Sequence, residues 1–245
     1  MRLFVFILLM KSILVFSQDK GYVATYSYDF IISEELLNRN NKTDTDRHLL
    51  NLYQTTKKGA EHIEIRLYIL NTESYSYITP VMDIDNLSLK TAIVASGYKQ
   101  PVYTNNKTEE VLTKNSESIF QKDSYIINHL SLKTQWKLLK DQKNCNGYLC
   151  YKATAMLSKN INGKKKDFNI VAWYAPTIPV SFGPYGYGKL PGLIVELTVL
   201  DKKYTLESFK EIPSEDVEII KPIKGECVTN EEYQELVKKA VKGKI

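Results

Sequence analysis

The clearest pattern along the chain is a period-2 alternation that begins at Tyr22. From Tyr22 to Ile32, aromatic and aliphatic side chains alternate with small or polar ones. The apolar set is Tyr22, Ala24, Tyr26, Tyr28, Phe30 and Ile32. Successive side chains of a strand point to opposite faces, so this spacing is typical of a strand with one buried face. The segment is predicted to be an antiparallel strand with an aromatic inner face.

The next apolar segments predict a hairpin followed by a third strand. Leu49–Thr56 and Glu61–Leu70 flank a turn at Lys57–Ala60, and Ser74–Ile78 continues the series. The positions predicted to point inward are Ile63, Ile65, Leu67 and Ile69. Strands in this order usually pair with their neighbours, which indicates an antiparallel meander. The polar stretch Glu34–Asp46 is predicted to be a mobile excursion.

Further strands are predicted through the rest of the chain. Asn105-Asn106-Lys107 and Asn162-Gly163 are turn signals, and Asn-Gly is typical of a two-residue hairpin loop. The predicted strands are Ala92–Tyr98, Val102–Asn105, Asp123–Ile127, Leu132–Lys140, Gly147–Ser158, Lys166–Tyr174, Leu193–Leu200 and Lys203–Glu211. No repeat, low-complexity tract or interdomain linker interrupts them.

The single helix that the pattern predicts lies at the C-terminal end. Thr229 and Glu232 have the spacing of a capping box, and an apolar stripe at helical spacing follows. The stripe is Tyr233, Leu236, Val237, Ala240 and Val241. We expect this helix to pack on the sheet or to cover an edge strand; the alternative is a helix that binds a partner. The predicted fold is mainly β: a strongly curved antiparallel sheet, shaped as a half-barrel or bowl, with a C-terminal α-helix.

The first seventeen residues have the pattern of a secretory signal peptide. Met1-Arg2 is a short positive start, and Leu3–Phe16 is apolar apart from one lysine and one serine. Val15 and Ser17 satisfy the small-residue rule, which predicts cleavage after Ser17. The alternative is a membrane anchor, but the stretch is shorter than the ~20 residues that span a bilayer. We expect residues 18–245 to be a single β-rich domain, periplasmic or secreted, without a transmembrane segment.

The charge of the predicted mature chain is mild. Of 33 Lys and Arg residues, Arg2 and Lys11 leave with the signal peptide, so 31 face 28 Asp and Glu residues, a net charge of +3. The densest basic run, Lys164–Lys166, follows a hairpin signal and is expected to be a solvated tip. No nucleic acid partner is predicted. The 17 tyrosines suit a sheet with one partly wet face.

A stretch rich in Pro, Gly and aromatic residues separates two strand-like segments between residues 172 and 197. Its first prolines remove backbone donors, so the chain leaves the ladder there. The loop is expected to be a plug that closes one end of the sheet, or a contact surface. Both hold if Trp173 faces the core and Tyr185 and Tyr187 form an exposed rim. The candidate residues for binding a ligand or partner are Trp173, Tyr174, Phe182, Pro184, Tyr185, Tyr187, Leu190 and Pro191.

The sequence GPYGYGKLPGLI at residues 183–194 resembles the motif of the GLPGLI family of secreted Bacteroidota proteins. Trp136, Gly147–Ala153 and Ala172–Tyr174 also match the pattern of that family. The resemblance implies a secreted or periplasmic location and an architecture, but no reaction, because the family has no established activity. Lys189 stands where the family usually has glycine. A left-handed backbone there would make lysine cost of order 1 kcal/mol, unless Gly188 absorbs the turn or the position is not left-handed.

Three cysteines, an odd number, predict one disulfide and one remaining thiol in an exported protein. A bond between Cys145 and Cys150 would close a small loop, whereas a bond between Cys150 and Cys227 would tie a central strand to the C-terminal segment. The resemblance implies a role for Cys150 only and does not choose its partner. We favour the Cys145–Cys150 pair; the alternative is that all three are reduced.

Motifs for catalysis and metal binding are absent from the sequence. It contains no HExxH, CxxC or GxSxG, and His48, His62 and His129 lack the spacing of metal ligands. The glycines near Pro184 superficially resemble a phosphate loop, but Pro184 removes an N–H donor and no GK[ST] follows. We therefore predict no catalytic residue, no metal ion and no cofactor, and an enzyme is the third-ranked hypothesis.

Two functions remain. In the first, a non-enzymatic carrier holds an apolar or glycan-like small ligand on the concave face of its sheet. In the second, the loop is the epitope of an interaction module in an outer-membrane assembly, such as the TonB-dependent transporters beside which the similar family is often encoded. A concave apolar pocket of several hundred Å³ favours the first. A filled core with an exposed aromatic patch favours the second.

Overall fold

The computed structural model describes residues 20–80, 86–115, 124–129, 134–161 and 164–242. The strands are β1 (Lys20–Phe30), β2 (Glu64–Leu70), β3 (Glu73–Ile78), β4 (Val102–Asn105), β5 (Glu110–Asn115), β6 (Tyr125–Asn128), β7 (Lys137–Cys145), β8 (Tyr148–Ile161), β9 (Lys164–Ala175), β10 (Leu193–Val199), β11 (Lys202–Pro213) and β12 (Glu226–Thr229). The helices are α1 (Glu34–Asn38), α2 (Asp44–Ala60), α3 (Leu87–Ser96) and α4 (Asn230–Lys242). The predicted signal peptide, the Asn162-Gly163 turn and Leu132 lie outside the described residues.

The twelve strands form one sheet in the order β12-β6-β5-β4-β3-β2-β1-β11-β10-β9-β8-β7. Neighbours are antiparallel, with the exception of the parallel pair β12–β6. The predicted mainly β fold with a C-terminal helix is confirmed, and the parallel pair makes the sheet mixed rather than purely antiparallel.

The sheet is strongly curved, as predicted. Four strands separate β4 from β10 in the sheet order, yet the loop before β10 reaches the turn after β4. There the Asn106 Nδ2 donates a hydrogen bond to the Ser181 carbonyl at 3.0 Å. From β1, the Tyr26 hydroxyl reaches past β11 to the carbonyl of Ile194 on β10, at 2.7 Å. The two end strands β7 and β12 do not pair with each other, so the sheet is open rather than a closed barrel.

The concave inner face is apolar because β1 and β2 alternate as predicted. Tyr26 and Ile65, directly opposite each other on β1 and β2, are both fully buried. The four positions predicted to point inward at the second strand are all 4% exposed or less: Ile63, Ile65, Leu67 and Ile69. The opposite faces of both strands carry half-buried or exposed side chains. Period-2 alternation therefore identified the inner face of the central strands correctly.

Residues 44–60 form helix α2 where a hairpin strand and turn were predicted, so that prediction is wrong. Thr43 and Asp46 make a capping box at its start. Side chains that face the interior, Tyr53, Thr56 and Ala60, recur at helical spacing. Gly59 allows close contact with α3, because a Cβ there would collide with the Ser88 carbonyl.

Two more helices replace predicted non-helical segments. The predicted excursion 34–46 instead contains α1 and the first turn of α2, and Ser33 caps α1. The strand predicted at Ala92–Tyr98 is wrong, because its first half ends helix α3 and Gly97 then terminates that helix with φ 82°. Helix α3 has apolar residues on most sides, and periodicity alone does not separate such a short run from a buried strand.

The remaining strand predictions are confirmed with shifted ends, and so is the C-terminal helix. The described part of the strand predicted from Leu132 begins at Lys137. At α4, the Thr229 Oγ1 accepts a hydrogen bond from the Glu232 N–H at 3.2 Å, and the Thr229 N–H donates to Glu232 Oε2 at 2.8 Å. The helix contacts β6 and β12, so its predicted place at an edge strand is confirmed.

Candidate functional site

The Pro/Gly/aromatic loop, residues 176–192, fills the concave face of the sheet. Phe182, Tyr187 and Leu190 are 3% exposed or less. Pro184 is buried, Tyr185 is half-buried, and Pro191 is exposed. The predicted plug is therefore what these side chains form, and the predicted exposed rim of Tyr185 and Tyr187 is wrong. The rings are buried because the curved sheet supplies packing partners that are distant in sequence.

Backbone and side-chain hydrogen bonds hold this plug to both ends of the sheet. The Ile194 N–H donates to the Phe182 carbonyl at 3.0 Å. The Trp136 Nε1 donates to the Gly188 carbonyl at 2.9 Å, and its ring packs edge-on to Tyr187 at 6.3 Å. Tyr98, just after α3, accepts a hydrogen bond from the Tyr185 N–H. The loop is thus a structural closure with few polar groups left for a ligand.

Lys189 has a left-handed backbone, with φ 64°. Neither alternative from the sequence holds: Gly188 does not absorb the turn, and the position is left-handed. The Lys189 N–H donates to the Ser181 carbonyl at 2.9 Å, which fixes this conformation. Its Nζ forms an ion pair with Glu109 in the β4–β5 turn. Lysine therefore occupies a backbone conformation that favours glycine, and its side chain crosses to the opposite end of the sheet.

Trp173 and Tyr174 lie on opposite faces of β9. Tyr174 points into the core and is 5% exposed. Trp173 lies half-buried on the outer face, where the Nζ of Lys143 is 4.6 Å from its ring centroid. Lys143 also pairs with Glu196 at 2.7 Å; burial opposes ionisation of that carboxyl, but Lys143 holds its pKa below the usual value. The predicted core position of Trp173 is therefore wrong.

The three cysteines are free thiols in this structure. Cys145 and Cys150 are buried on β7 and β8, whereas Cys227 is exposed. Burial raises the pKa of the Cys145 thiol to about 12, with a contribution from its hydrogen bond to Cys150. The predicted Cys145–Cys150 disulfide is not formed in this structure, where each thiol affects the pKa of the other.

A row of tyrosines, which the sequence analysis did not single out, crosses the outer face of the sheet. Tyr68, Tyr75 and Tyr103 lie directly opposite one another on β2, β3 and β4. Tyr77 extends the row, and its ring stacks on Tyr68 at 6.1 Å and 16°. The available signal was the Tyr75-Ser76-Tyr77 alternation, since Ser76 faces the core and its neighbours must face outward. We call these four residues the tyrosine row.

The segment 217–224, which precedes β12, covers one end of the tyrosine row. Its Ile219 packs against a small apolar cluster of Tyr103, Leu112 and Ile126. Between this segment and the row lies a groove of about 200 Å³, which we call the tyrosine groove. Its lining is Tyr75, Tyr103, Gln100, Lys114, Ile220 and Pro222, with Leu112 and Pro101 beneath. The groove therefore has tyrosine side chains on one side and the segment 217–224, distant in sequence, on the other.

Lys221, Glu110 and Glu73 beside the tyrosine groove each have a partner. Lys221 contacts Glu110 at 2.8 Å and lies 5.5 Å from the ring centroid of Tyr103. The hydrogen bond from Lys221 lowers the pKa of the Glu110 carboxyl. The Tyr103 hydroxyl donates to Glu73, and burial together with that carboxylate raises the pKa of Tyr103 to about 12. Tyr103 is consequently neutral at physiological pH, and at 1% exposed it lies beneath the groove, where Tyr75 is the partly exposed ring.

A second, much smaller cavity lies where the loop meets the β4–β5 turn. It measures about 20 Å³ and is lined by polar groups of Thr104, Glu109 and His129 among others. His129 is hydrogen-bonded to Thr113 at 2.9 Å, and burial lowers its pKa. A volume of this size holds about one water molecule. This cavity is therefore too small for an organic ligand.

Comparisons with known proteins identify one family model that matches part of the chain and two solved structures of low sequence identity. The family model described as "Protein of unknown function (Porph_ging)" matches residues 158–196, which include the segment from β9 into β10. Two solved structures of PNGF-II, in the P21 and C2 space groups, align with 90% of this chain at 16% identity and TM-scores of 0.49 and 0.46. The chain spans about a third of the PNGF-II chains, 34% and 33%. No curated protein matches it.

Within the described ranges, none of the helices combines the length and the apolar character that crossing a bilayer requires.

Proposed function

We propose that the chain is an exported, non-enzymatic binding protein whose ligand site is the tyrosine groove on the outer face of the sheet. The observation that carries the proposal is the groove itself, about 200 Å³ between flat aromatic side chains and the segment 217–224. Ligand sites are typically concave and lined by apolar and aromatic groups with a few polar groups. Export is supported by the pattern of residues 1–17 and by the resemblance of residues 183–194 to the GLPGLI motif.

The groove is a better candidate than either site expected from the sequence. The concave face is filled by α2, α3 and the buried loop, so a carrier site there would need the core to open. An interaction epitope on the loop requires exposed rings, and Phe182 and Tyr187 are buried. At the groove, Tyr75 is half-buried and Ile220 is 47% exposed.

The proposal is tested with two matched variants in the segment that forms the groove wall. Ile220 lines the groove, whereas Ile223, three residues away and 80% exposed, does not. Ile220→Asp introduces a charge into the groove, and Ile223→Asp introduces the same charge beside it. Because both side chains are exposed, neither change should alter the melting temperature by more than a few degrees.

Saturation-transfer NMR then screens wild type and both variants against saccharides, fatty acids and nucleosides. At least one compound class is expected to bind the wild type and Ile223→Asp but not Ile220→Asp. Binding that Ile220→Asp leaves intact overturns the groove as the site. A screen in which no compound binds the wild type overturns the binding function.

A further inference from the structure

We infer that the tyrosine groove takes one ring of a neutral saccharide, seated against the partly exposed ring of Tyr75. This inference rests on the proposed function, because it names the ligand class of the same site. It follows from three properties of the groove: its size and the ring of Tyr75, the charges around it, and the polar groups at its mouth.

The size and floor of the groove suit a single sugar ring. Its volume of about 200 Å³ is below the roughly 300–1,000 Å³ of sites that enclose drug-sized ligands. Tyr75 is half-buried and Tyr103, opposite it on β4, is 1% exposed, so the accessible aromatic face of the groove is the ring of Tyr75. The C–H face of a pyranose is apolar and flat, and it can lie on such a surface with the opposite face toward Pro222.

The charges of the groove favour a neutral ligand. Lys221 is held by Glu110 and by the ring of Tyr103, so it is not available as an anion site. Glu218 also lies near the groove: burial raises the pKa of the Tyr75 hydroxyl, and the Glu218 carboxylate adds to that rise. A carboxylate or phosphate ligand would meet acidic groups on two sides. A sugar without charge meets no such penalty.

The polar groups at the groove favour a ligand with hydroxyls over a purely apolar one. Gln100 offers both donors and an acceptor, and Lys114 offers ammonium donors. An apolar ligand would remove these groups from water without replacing their hydrogen bonds, which is unfavourable. Ring hydroxyls at the edge of a sugar can pair with them while its C–H face covers the aromatic surface.

The test is a glycan microarray followed by calorimetry with the best glycan, on the exported chain. The array includes neutral glucans, mannans, galactans and N-acetylhexosamine oligomers, with uronate, sialylated and sulfated glycans beside them. We expect at least one neutral glycan to bind. Tyr75→Ala should lower its affinity at least tenfold, whereas Tyr75→Phe, which keeps the ring, should stay within threefold. Tyr148→Ala, a half-buried tyrosine at the β7–β8 turn, is the control and should bind as wild type.

The outcomes separate this inference from the proposed function. Binding restricted to acidic glycans, or glycan binding that Tyr75→Ala leaves unchanged, overturns the saccharide assignment. If no glycan binds but another compound class binds in a manner that Ile220→Asp abolishes, the saccharide assignment fails and the binding function stands. If neither experiment finds a ligand, both fail. Circular dichroism melts of Tyr75→Ala and Tyr75→Phe show that a loss of affinity is not a loss of fold.

Discussion

Lys189 allows a direct test of the backbone conformation of the loop, because its backbone and its side chain have opposite effects on stability. A left-handed φ costs a residue with a Cβ about 1–2 kcal/mol. Glycine avoids that cost, but it makes the unfolded chain more flexible, which lowers the free energy of unfolding by about 0.5–1 kcal/mol. The ion pair with Glu109 is 41% and 48% exposed at its two side chains, so solvent screens it to about 0–1 kcal/mol.

Two substitutions separate these contributions. Lys189→Gly and Lys189→Ala both lose the ion pair, and only the glycine relieves the backbone. Lys189→Gly should therefore be more stable than Lys189→Ala by about 0.5–1 kcal/mol. For a chain of this size, that difference is a shift of about 1–4 °C in Tm. Urea unfolding at low and high salt is the assay, and the difference between the two variants should not depend on salt.

The reasoning is refuted if Lys189→Ala is as stable as Lys189→Gly. That result would mean that residue 189 has no left-handed strain to relieve. A glycine advantage that disappears at high salt would equally contradict the backbone explanation, because salt acts on the ion pair and not on φ. Wild type compared with Lys189→Ala then gives the contribution of the pair alone.

Other predictions follow from burial. Ellman's reagent should titrate Cys227 alone in the native protein, and the other two thiols only in denaturant; more than one fast thiol would contradict their burial. Burial lowers the pKa of His129, so its contribution to stability is complete above pH 6.5 and is lost as pH falls toward the lowered pKa. His129→Gln should flatten this slope in urea titrations between pH 7.5 and 5, and His48→Gln, at an exposed site, should not. Tyr187→Ala should cost about 3–5 kcal/mol, clearly more than Trp173→Ala, and the reverse order in denaturant melts would contradict their placement.

The strands could be predicted wherever one face alone is buried. On β1, aromatic residues alternate with small or polar residues, so the two-residue repeat of a strand is clear. On α3, Leu87–Ser96, apolar residues lie on most sides, so the sequence shows no repeat that distinguishes a helix from a strand. Helix α2 was missed although Thr43 and Asp46 form a capping box. The box uses Asp rather than Glu or Gln at its third helical position, and the helix then carries a mostly polar surface.

The tyrosine groove could not be predicted because it depends on register and on a distant segment. Tyr75 and Tyr103 become neighbours only in the observed pairing of β3 with β4, and a slip of one residue would turn one ring to the opposite face. The wall comes from residues 217–224, which dock through the partly buried Ile219 against a small outer cluster. Local patterns carry no information about such long-range contacts.

The burial of the aromatic loop could not be predicted for a related reason. The loop has more aromatic rings than it can bury within itself, which suggested an exposed rim. In the structure, the curved sheet brings β4 and β5 against these rings. Gly186 illustrates this contact: a Cβ there would collide with Val111 of β5, and at Gly183 it would collide with Ile194. Both glycines are therefore explained by close packing. A motif explained by packing makes no demand for a ligand, which is why the proposed binding site is the groove beside the partly exposed ring of Tyr75.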